Sequence, residues 1–364
     1  MKKSIEVEYW VVDQNGALTQ PGELVNSSEQ VEEEFVDCLF ELKTPPCETV
    51  EELRTTLTEQ LEETLLRAQE LEKQLVPLGT PLNSDRIELL EDERSEIQKT
   101  VVGSDFDYTK YCAGTHVHFE KRNVVDQLNT LVALDPALAL CNSSPYYQGE
   151  HVASSARAYL YRKKAYEKFP KHGQLWEYAE TVAQWERRLG RRFEEFKEQA
   201  LERGIDEERV DANFSPDDVV WTPIRLRDAM PTVEWRSPDA TLPSQLLKLV
   251  EAVETVMEQI HHTNVRVEGA YGSVTPDEVV LPEFDSLCDY AEAAMLDGLD
   301  SPDVVEYLTR MGFAVEEYEP LSREFEGQGH ISLDEARTLR LQYANRLQED
   351  VDRLGHGRER SESR

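Results

Sequence analysis

The sequence contains little lysine, few cysteines and no long apolar run. Of its 364 residues, 13 are lysine, 26 are arginine and five are cysteine. The cysteines are odd in number, widely spaced and form no CxxC pair, so the sequence indicates neither a disulfide framework nor a structural zinc site. No run of 18 or more apolar residues is present, and the first residues form no secretory apolar segment. We therefore expect a soluble, cytoplasmic protein.

An excess of acidic residues is the main feature of the composition. Asp and Glu number 73 against 39 Lys and Arg, which gives a formal net charge of −34. The acidic residues are spread along the chain, and a hydrophobic fraction of 39% is sufficient for a globular core. Such a surface stays soluble in concentrated salt, as in a halophile's cytoplasm, and repels nucleic acid and anionic membranes. We expect neither of these as a partner.

Hydrophobic periodicity and turn residues divide the chain into strands and helices. Apolar alternation predicts strands at 4–10, 35–44, 112–120 and 231–236. Helical periodicity predicts helices at 50–74, 124–140, 174–203, 243–262, 301–312 and 333–353. No repeat or flexible linker interrupts the chain. We predict one α+β domain over residues 1–353 and a charged, disordered tail over 354–364.

The first predicted strand carries two carboxylates on one face. Period-2 alternation puts Glu6 and Glu8 on one side and Ile5, Val7 and Tyr9 on the other. In so acidic a chain, a pair of glutamates on a strand face is often only solvated. The alternative is that the two carboxylates share a ligand, and the other motifs decide between these interpretations.

Two further segments repeat this pattern. The segment AGTHVHF places His116 and His118 on one strand face. The two histidines could be metal ligands, or they could be ordinary surface or core histidines. Glu41 lies between two apolar residues of the preceding predicted strand, and Glu34 lies earlier on the same element. A carboxylate in the position of Glu41 is costly to bury unless a cation pairs with it, which makes it a candidate ligand.

Arginines accompany another carboxylate in the segment PTVEWRSPDA. Glu234 and Arg236 share a strand face there, a pattern that alone is typical of a simple salt bridge. Arg225 and Arg227 lie upstream and add cationic charge. A guanidinium suits phosphate because it donates two parallel hydrogen bonds.

A polar loop follows the helix predicted at 124–140. It contains Asn142 and Ser143 and continues to Arg157. Such a loop is commonly structural, but small hydrogen-bond donors followed by an arginine can also hold a carboxylate or a phosphate.

Together these clusters describe a site for a metal and a phosphate. Carboxylates and imidazoles on one side of a sheet suit Mg²⁺ or Mn²⁺, which share oxygen ligands with nucleotide phosphates. The sequence contains neither GxxxxGK[ST] nor GxGxxG. A nucleotide would therefore be held by metal and arginine, and the residues predict an ATP-dependent phosphoryl-transfer site without a phosphate-binding loop.

The motifs, in this order and spacing, resemble those of a known family. IEVEYW, FELKTP, AGTHVHFE, NSSPYYQGE and PTVEWRSPDA are similar to motifs of the carboxylate-amine ligases of the glutamate-cysteine ligase type 2 family, over residues 4–270. The acidic composition resembles that of its haloarchaeal members. The resemblance implies a glutamine-synthetase-like catalytic fold with a curved, mainly antiparallel sheet and flanking helices. It also implies that ATP phosphorylates the side-chain carboxylate of glutamate and that the amine of cysteine displaces phosphate to give γ-glutamylcysteine.

The resemblance and the residue patterns together assign site residues. Six positions are assigned to metal binding: Glu6, Glu8, Glu34, Glu41, His116 and Glu234. Arg236 is assigned to stabilise the transferring phosphoryl group, with Arg157 as a second catalytic arginine. Substrate or phosphate binding is assigned to four positions: Arg225, His118, Asn142 and Ser143.

Several alternatives stay open on the sequence alone. The amine joined to glutamate could differ from cysteine, the protein could bind metal or nucleotide without catalysis, or it could be structural. The expected small-molecule partners are glutamate, cysteine and ATP, the last as co-substrate with Mg²⁺ or Mn²⁺. The helix predicted at 333–353 could pack on the core or on a second copy of the chain in a homo-oligomer.

Overall fold

The computed structural model of the protein describes residues 1–90, 92–228, 230–325 and 327–362. Within these ranges the strands are β1 (Lys3–Asp13), β2 (Val31–Glu33), β3 (Leu39–Lys43), β4 (Lys73–Val76), β5 (Thr115–Glu120), β6 (Tyr146–Tyr147), β7 (Glu150–His151), β8 (Ile224–Arg227), β9 (Thr232–Trp235), β10 (Asn264–Val267), β11 (Ser273–Val274) and β12 (Glu278–Leu281). The helices are α1 (Val50–Glu70), α2 (Glu93–Val102), α3 (Val124–Leu134), α4 (Ala156–Tyr159), α5 (Val182–Glu202), α6 (Glu207–Asn213), α7 (Pro216–Val219), α8 (Pro243–Gln259), α9 (Phe284–Leu296), α10 (Pro302–Arg310) and α11 (Leu333–Glu362).

The main sheet has β1 at its centre. Its strand order is β2-β3-β1-β5-β9-β8, and β4 pairs with the last residues of β1. Every pairing in this sheet is antiparallel. β1 is 11 residues long, and β3 pairs with its residues 6–10, β5 with 3–7 and β4 with 10–13. The central strand therefore brings several later segments of the chain side by side.

One face of the sheet packs against helices and forms the core. Ile5, Val7 and Tyr9 of β1 are fully buried in a hydrophobic cluster that also contains residues of α1, α3 and α8. The helix α1 contributes an apolar stripe at spacings of four residues: Leu53, Leu57 and Leu61. Each such leucine contributes roughly 1.5–3 kcal/mol on burial. Because side chains alternate along β1, its glutamates point to the opposite face of the sheet.

The fold class expected from the sequence, α+β with a mainly antiparallel sheet and flanking helices, is confirmed. Several helix boundaries differ from the prediction. The helix predicted at 174–203 begins only after Thr181, whose side chain caps it by accepting a hydrogen bond from the N–H of Gln184. The helix predicted at 124–140 is divided into α3 and a 3₁₀ segment, Asp135–Cys141, with a proline at the start of the second part.

The strands near α1 also differ from the prediction. The strand predicted at 35–44 is shorter, because only the residues of β3 pair with β1. The helix predicted at 50–74 ends with α1, since Glu72 adopts a positive φ of 57° and the chain turns into β4. The elements that were not predicted from the sequence are β2, β4, β6, β7, β8, β10, β11, β12, α2, α4, α6, α7 and α9.

The last helix is longer than predicted. α11 continues to Glu362 and buries Leu347 and Val351 against the core. The disordered tail predicted at 354–364 is therefore corrected to helix as far as residue 362, because a helix anchored by buried residues propagates readily. The last two residues lie outside the described part of the chain.

Judged by length and composition alone, one helical segment among the described residues is long and apolar enough to span a membrane. It is Val124–Cys141, and 78% of it is buried inside the fold. Burial of this extent is typical of a core helix.

Candidate active site

The polar face of the main sheet gathers side chains from five strands. Glu8 of β1 lies opposite Glu41 of β3, and Glu6 lies opposite His116 of β5. His118 lies opposite Glu234 of β9, which in turn lies opposite Arg225 of β8. The sheet register, rather than any local sequence motif, places these groups in one cluster.

A first set of possible metal ligands consists of Glu6, Glu41 and His116. One ligand atom from each lies within 4.8 Å of the others. The His116 Nδ1 atom is 3.3 Å from Glu6 Oε2 and 3.8 Å from Glu41 Oε1. All three side chains are buried. Two carboxylates and an imidazole at this spacing can converge on one cation.

A second set shares Glu6 and adds His118 and Glu234. The ligand atoms again lie within 4.8 Å of one another. His118 Nε2 is 3.4 Å from Glu6 Oε2, while its other ring nitrogen is 3.1 Å from the Thr232 hydroxyl, which fixes the ring. His118 Nε2 and Glu234 Oε1 are buried without a hydrogen-bond partner. Both atoms have a charged side chain nearby, Glu6 and Arg236 respectively, but no well-formed hydrogen bond, and a cation bound between them would satisfy both.

A third set contains Glu8, Glu34 and Glu41, also within 4.8 Å of one another. Glu34 is half-buried, and Glu8 accepts a hydrogen bond from the backbone N–H of Gly114 at 2.6 Å. Lys43 pairs with Glu41 at 2.8 Å. The third set therefore holds three carboxylates against one ammonium group, so a cation would be favoured there as well.

The ionisation of these carboxylates reflects this excess of negative charge. Burial, together with the charges of Glu6 and Glu8, raises the pKa of Glu41 to about 8, although Lys43 opposes the shift. Burial and the neighbouring carboxylates of Glu41 and Glu8 also raise the pKa of Glu34. A divalent cation favours the ionised forms, so the donor set fits Mg²⁺ or Mn²⁺, which take carboxylate oxygens and accept imidazole.

Arginines border the cluster on the side of β8 and β9. Arg225 Nε is 2.7 Å from Glu234 Oε2, and Arg236 Nε is 3.2 Å from Glu234 Oε1. Arg227 Nη1 is 3.6 Å from Glu6 Oε1. Burial alone would raise the pKa of Glu234, but Arg225 and Arg236 outweigh it and hold the pKa at about 2. The site thus combines a carboxylate-rich part with a guanidinium-rich part, an arrangement suited to a phosphate bound to a cation.

Two cluster residues, Arg227 and Lys43, were not assigned to the site from the sequence. Each lies two residues from an assigned residue on the same strand, Arg225 and Glu41 respectively. The period of two that placed Glu6 and Glu8 on one face would have found both.

Arg157 contacts the chain segment that follows β9 rather than the carboxylates of the three ligand sets. Its buried guanidinium donates hydrogen bonds of 3.1 Å to the backbone carbonyls of Arg236 and Ser237 and lies over the ring of Tyr161. Arg236 itself lies over the ring of Trp221, with 5.4 Å between its guanidinium carbon and the ring centre. Arg157 therefore fixes the backbone that carries Arg236.

Asn142 and Ser143 form part of the same backing layer. The Asn142 amide nitrogen donates to the Ser154 hydroxyl at 2.9 Å, and the Ser143 N–H donates to Asp239 Oδ2 at 2.9 Å. The Ser155 hydroxyl donates to the other oxygen of Asp239 at 2.9 Å. These contacts join protein to protein, so the structure does not bring Asn142 and Ser143 into the carboxylate cluster.

Asp239, a buried carboxylate that accepts hydrogen bonds from Ser143 and Ser155, was not identified from the sequence. It is 1% exposed, and burial raises its pKa to about 6 against the lowering effect of Arg157 and of its hydrogen bonds. A Cβ atom on Gly79 would lie 2.6 Å from its carboxylate carbon, so this glycine leaves the space that Asp239 fills. The motif PTVEWRSPDA contains Asp239, but its partners come from distant segments and give no local signal.

Comparisons with known proteins place the fold in context. None of the curated proteins compared matches the chain. A bifunctional glutathione synthetase from Pasteurella multocida is 16% identical with a TM-score of 0.57, over 95% of this chain and 52% of that protein. The two share a fold, and the present chain spans about half the length of that protein.

Two other solved structures align with lower scores. A glutamate-cysteine ligase from Francisella tularensis, solved in complex with AMP, is 12% identical with a TM-score of 0.45, over 99% of this chain and 94% of that one. A structure described as a novel glutamine synthase homologue is 13% identical with a TM-score of 0.36, over 94% and 70% of the two chains.

The family comparison covers nearly the whole chain. The model of glutamate-cysteine ligase family 2 matches residues 5–350, a range that contains the main sheet from the third residue of β1 onward and all of the residues assigned to the site. The chain therefore belongs to glutamate-cysteine ligase family 2, a family of carboxylate-amine ligases.

Proposed function

We propose that the protein is an ATP-dependent glutamate-cysteine ligase that forms γ-glutamylcysteine through a γ-glutamyl phosphate intermediate. The observation that carries the proposal is the overlap of three possible ligand sets on one sheet face, beside the arginines that pair with Glu234 and Glu6. Family membership supports the reaction class. The choice of cysteine rests on the family resemblance.

The metal role is proposed for the residues that the strands bring together: Glu6, Glu8, Glu34, Glu41, His116 and Glu234. Divalent cations bound there, Mg²⁺ or Mn²⁺, would neutralise the negative charge of the ATP phosphates. His118 has a free ring nitrogen directed at Glu6, and we include it in the second ligand set rather than restricting it to substrate binding.

The phosphate role is proposed for the arginines that face the cluster. Arg236 and Arg225 flank Glu234 and would stabilise the charge on the transferring phosphoryl group. Arg227 is added to this set. Arg157 acts in this proposal as a positioning residue, because its guanidinium holds the carbonyl of Arg236.

The proposed chemistry needs little acid–base assistance from the protein. A γ-carboxylate oxygen of glutamate attacks the terminal phosphorus of ATP, and ADP leaves. The amine nitrogen of cysteine then attacks the acyl carbon, the bond to phosphate breaks, and the nitrogen loses a proton as the amide forms. The acyl phosphate is already a reactive electrophile, so positioning, charge stabilisation and exclusion of water supply most of the catalysis.

The cellular location and the partners that we propose follow from the charge of the protein and from its proposed substrates. ATP, glutamate and cysteine are small molecules that occur together in the cytoplasm, where we place the protein. The acidic surface argues against nucleic acid and anionic membranes as partners. A homo-oligomer formed through the exposed side of α11 is compatible with this proposal.

The test is a product assay with the purified protein. The protein is incubated with Mg-ATP, glutamate and cysteine in molar KCl, and the products are identified by mass spectrometry beside an ADP assay. We expect γ-glutamylcysteine and ADP in equal amounts, and neither without glutamate. If ADP and a glutamate adduct form only with another amine, the ligase assignment stands and the acceptor is corrected. Absence of ADP with every amine would refute the ligase.

Matched variants link the activity to the cluster. Glu6→Gln removes a charge that two ligand sets share and should lower turnover at least a hundredfold. Glu63→Gln makes the same change on the exposed surface of α1 and should leave turnover unchanged. Equal turnover of the two variants would contradict the metal assignment.

A further inference from the structure

We propose that a second site, between α5 and the loop that precedes it, binds a compact dianion, either a phosphate group or a short dicarboxylate. The cavity has a volume of about 180 Å³. Its walls include four cationic side chains and two aromatic ones: Lys171, Arg188, Arg191, Arg192, Trp176 and Phe284. We call this cavity the cationic pocket.

The sequence places three of the cations on neighbouring turns of α5. Arg188, Arg191 and Arg192 are spaced by three and four residues, so their side chains project toward the same side of the helix. Arg188 is held in place because its guanidinium donates to the backbone carbonyls of Glu177 and Tyr178, the latter at 3.2 Å. A fixed guanidinium loses little conformational entropy when it binds an anion.

The charges in the pocket are incompletely neutralised. Arg192 pairs with Glu195 at 2.9 Å, and Glu177, which is exposed, is the one acidic residue among those that line the pocket. Within the described ranges, Lys171 has no acidic partner, and Arg191 hydrogen-bonds only to a backbone carbonyl of its own helix at 3.3 Å. Like charges this close repel one another, and an anion between them would relieve the repulsion.

This concentration of cations contrasts with the rest of the chain. The net charge is −34, and an acidic partner is available to most other cations on the described surface. Next to the pocket, the pKa of the buried His172 imidazole is lowered to about 4, first by burial and then by the positive charge of Arg192. The local field therefore remains positive within a strongly acidic protein.

The size and lining of the pocket define the ligand class. A volume of about 180 Å³ accommodates a phosphate group or a short dicarboxylate. Guanidinium groups bind the oxygens of either anion in pairs. Trp176 and Phe284 offer apolar contact to a short carbon chain or to the organic part of a phosphate monoester.

The cationic pocket is separate from the proposed active site. None of its lining residues belongs to the three ligand sets or to the arginines around Glu234. The inference does not depend on the proposed function, because it rests on residues outside that site.

The experiment is isothermal titration calorimetry with inorganic phosphate and, separately, succinate, at constant ionic strength in molar KCl with EDTA. Without divalent cations, the carboxylate cluster repels anions, so the titration reports on the cationic pocket. We expect saturable binding to the wild-type protein with one equivalent of dianion. The tighter of the two ligands identifies whether the source is a phosphate or a dicarboxylate.

The deciding variant is Lys171→Gln/Arg191→Gln, in which both changed side chains are exposed and form no ion pair within the described residues. We expect its affinity for the dianion to fall at least about tenfold, since two charge-assisted contacts are lost. Arg203→Gln at the far end of the same helix removes an exposed arginine and should bind like the wild type. Ligase turnover should be the same in all three proteins.

Three results would overturn the inference. The first is the absence of saturable binding of either dianion to the wild-type protein. The second is unchanged affinity in the double variant. The third is an equal loss in Arg203→Gln, which would reflect net charge rather than a site. Turnover measured on the same samples separates these results from a failure of the ligase proposal.

Discussion

Replacing Arg162 by methionine should destabilise the protein by about 3–5 kcal/mol, the usual cost of removing one partner of a buried ion pair. Arg162 Nη2 is 2.8 Å from Asp135 Oδ2, and the two side chains are 6% and 0% exposed. The Trp235 indole and the Ser237 hydroxyl still donate to the other oxygen of Asp135, which favours the lower end of this range. Unfolding a chain of 364 residues carries an entropy of about 0.8 kcal/mol/K, so the expected drop in Tm is about 4–6 °C.

Urea unfolding followed by circular dichroism, together with calorimetric Tm values, measures this effect. The variant Arg162→Met/Asp135→Asn should recover about half of the loss, because no unpaired charge remains and the asparagine oxygen still accepts from Trp235. A loss of less than about 1 kcal/mol in the single variant would refute the argument. So would a double variant less stable than the single one, since it would show that the charge itself is not the cost.

Three further predictions concern backbone space, protonation and metal. Gly114→Ala should lower both turnover and stability, because a Cβ atom at this position would overlap the Arg157 guanidinium, which holds the backbone of Arg236. Normal turnover would show that catalysis does not need the contact between Arg157 and Arg236. Burial lowers the pKa of the His172 imidazole to about 4, so as the pH drops the unfolded chain takes up a proton at this residue before the folded protein does. The free energy of unfolding should therefore fall between pH 6.5 and pH 4, by about 3 kcal/mol more than in His172→Gln. Parallel pH profiles of unfolding for these two proteins would contradict this. Mg²⁺ should raise the Tm of the wild-type protein and do so much less for Glu6→Gln, as measured by thermal shift with and without EDTA.

The polar face of the sheet was largely predictable because its signal is local. Alternation along single strands placed Glu6 beside Glu8 and His116 beside His118, and the structure brings these pairs together with Glu41 and Glu234. Their roles remain predictions. A period of two shows which side chains share a face, but the order of the strands in the sheet came only from the structure.

The supporting layer could not be predicted, because its contacts join distant parts of the chain. Arg157 binds carbonyls 79 and 80 residues away, and the Ser143 backbone binds Asp239 across 96 residues. No periodicity connects such positions. Similarly, β4 and β8 are only four residues long, and pairing with β1 and β9 respectively, rather than their own composition, defines them.

The central position of β1 affects how the nascent chain must fold. β1 precedes all of its partners along the chain, and the last of these, β5, ends at Glu120, more than 100 residues later. Until β5 has been made, one edge of β1 carries unpaired backbone groups, which is the condition that favours association between chains. Glu6 and Glu8 on the other face of β1 oppose this association, because like charges on two copies of the strand repel one another. The same carboxylates that form the candidate site would thus also protect the chain during its synthesis.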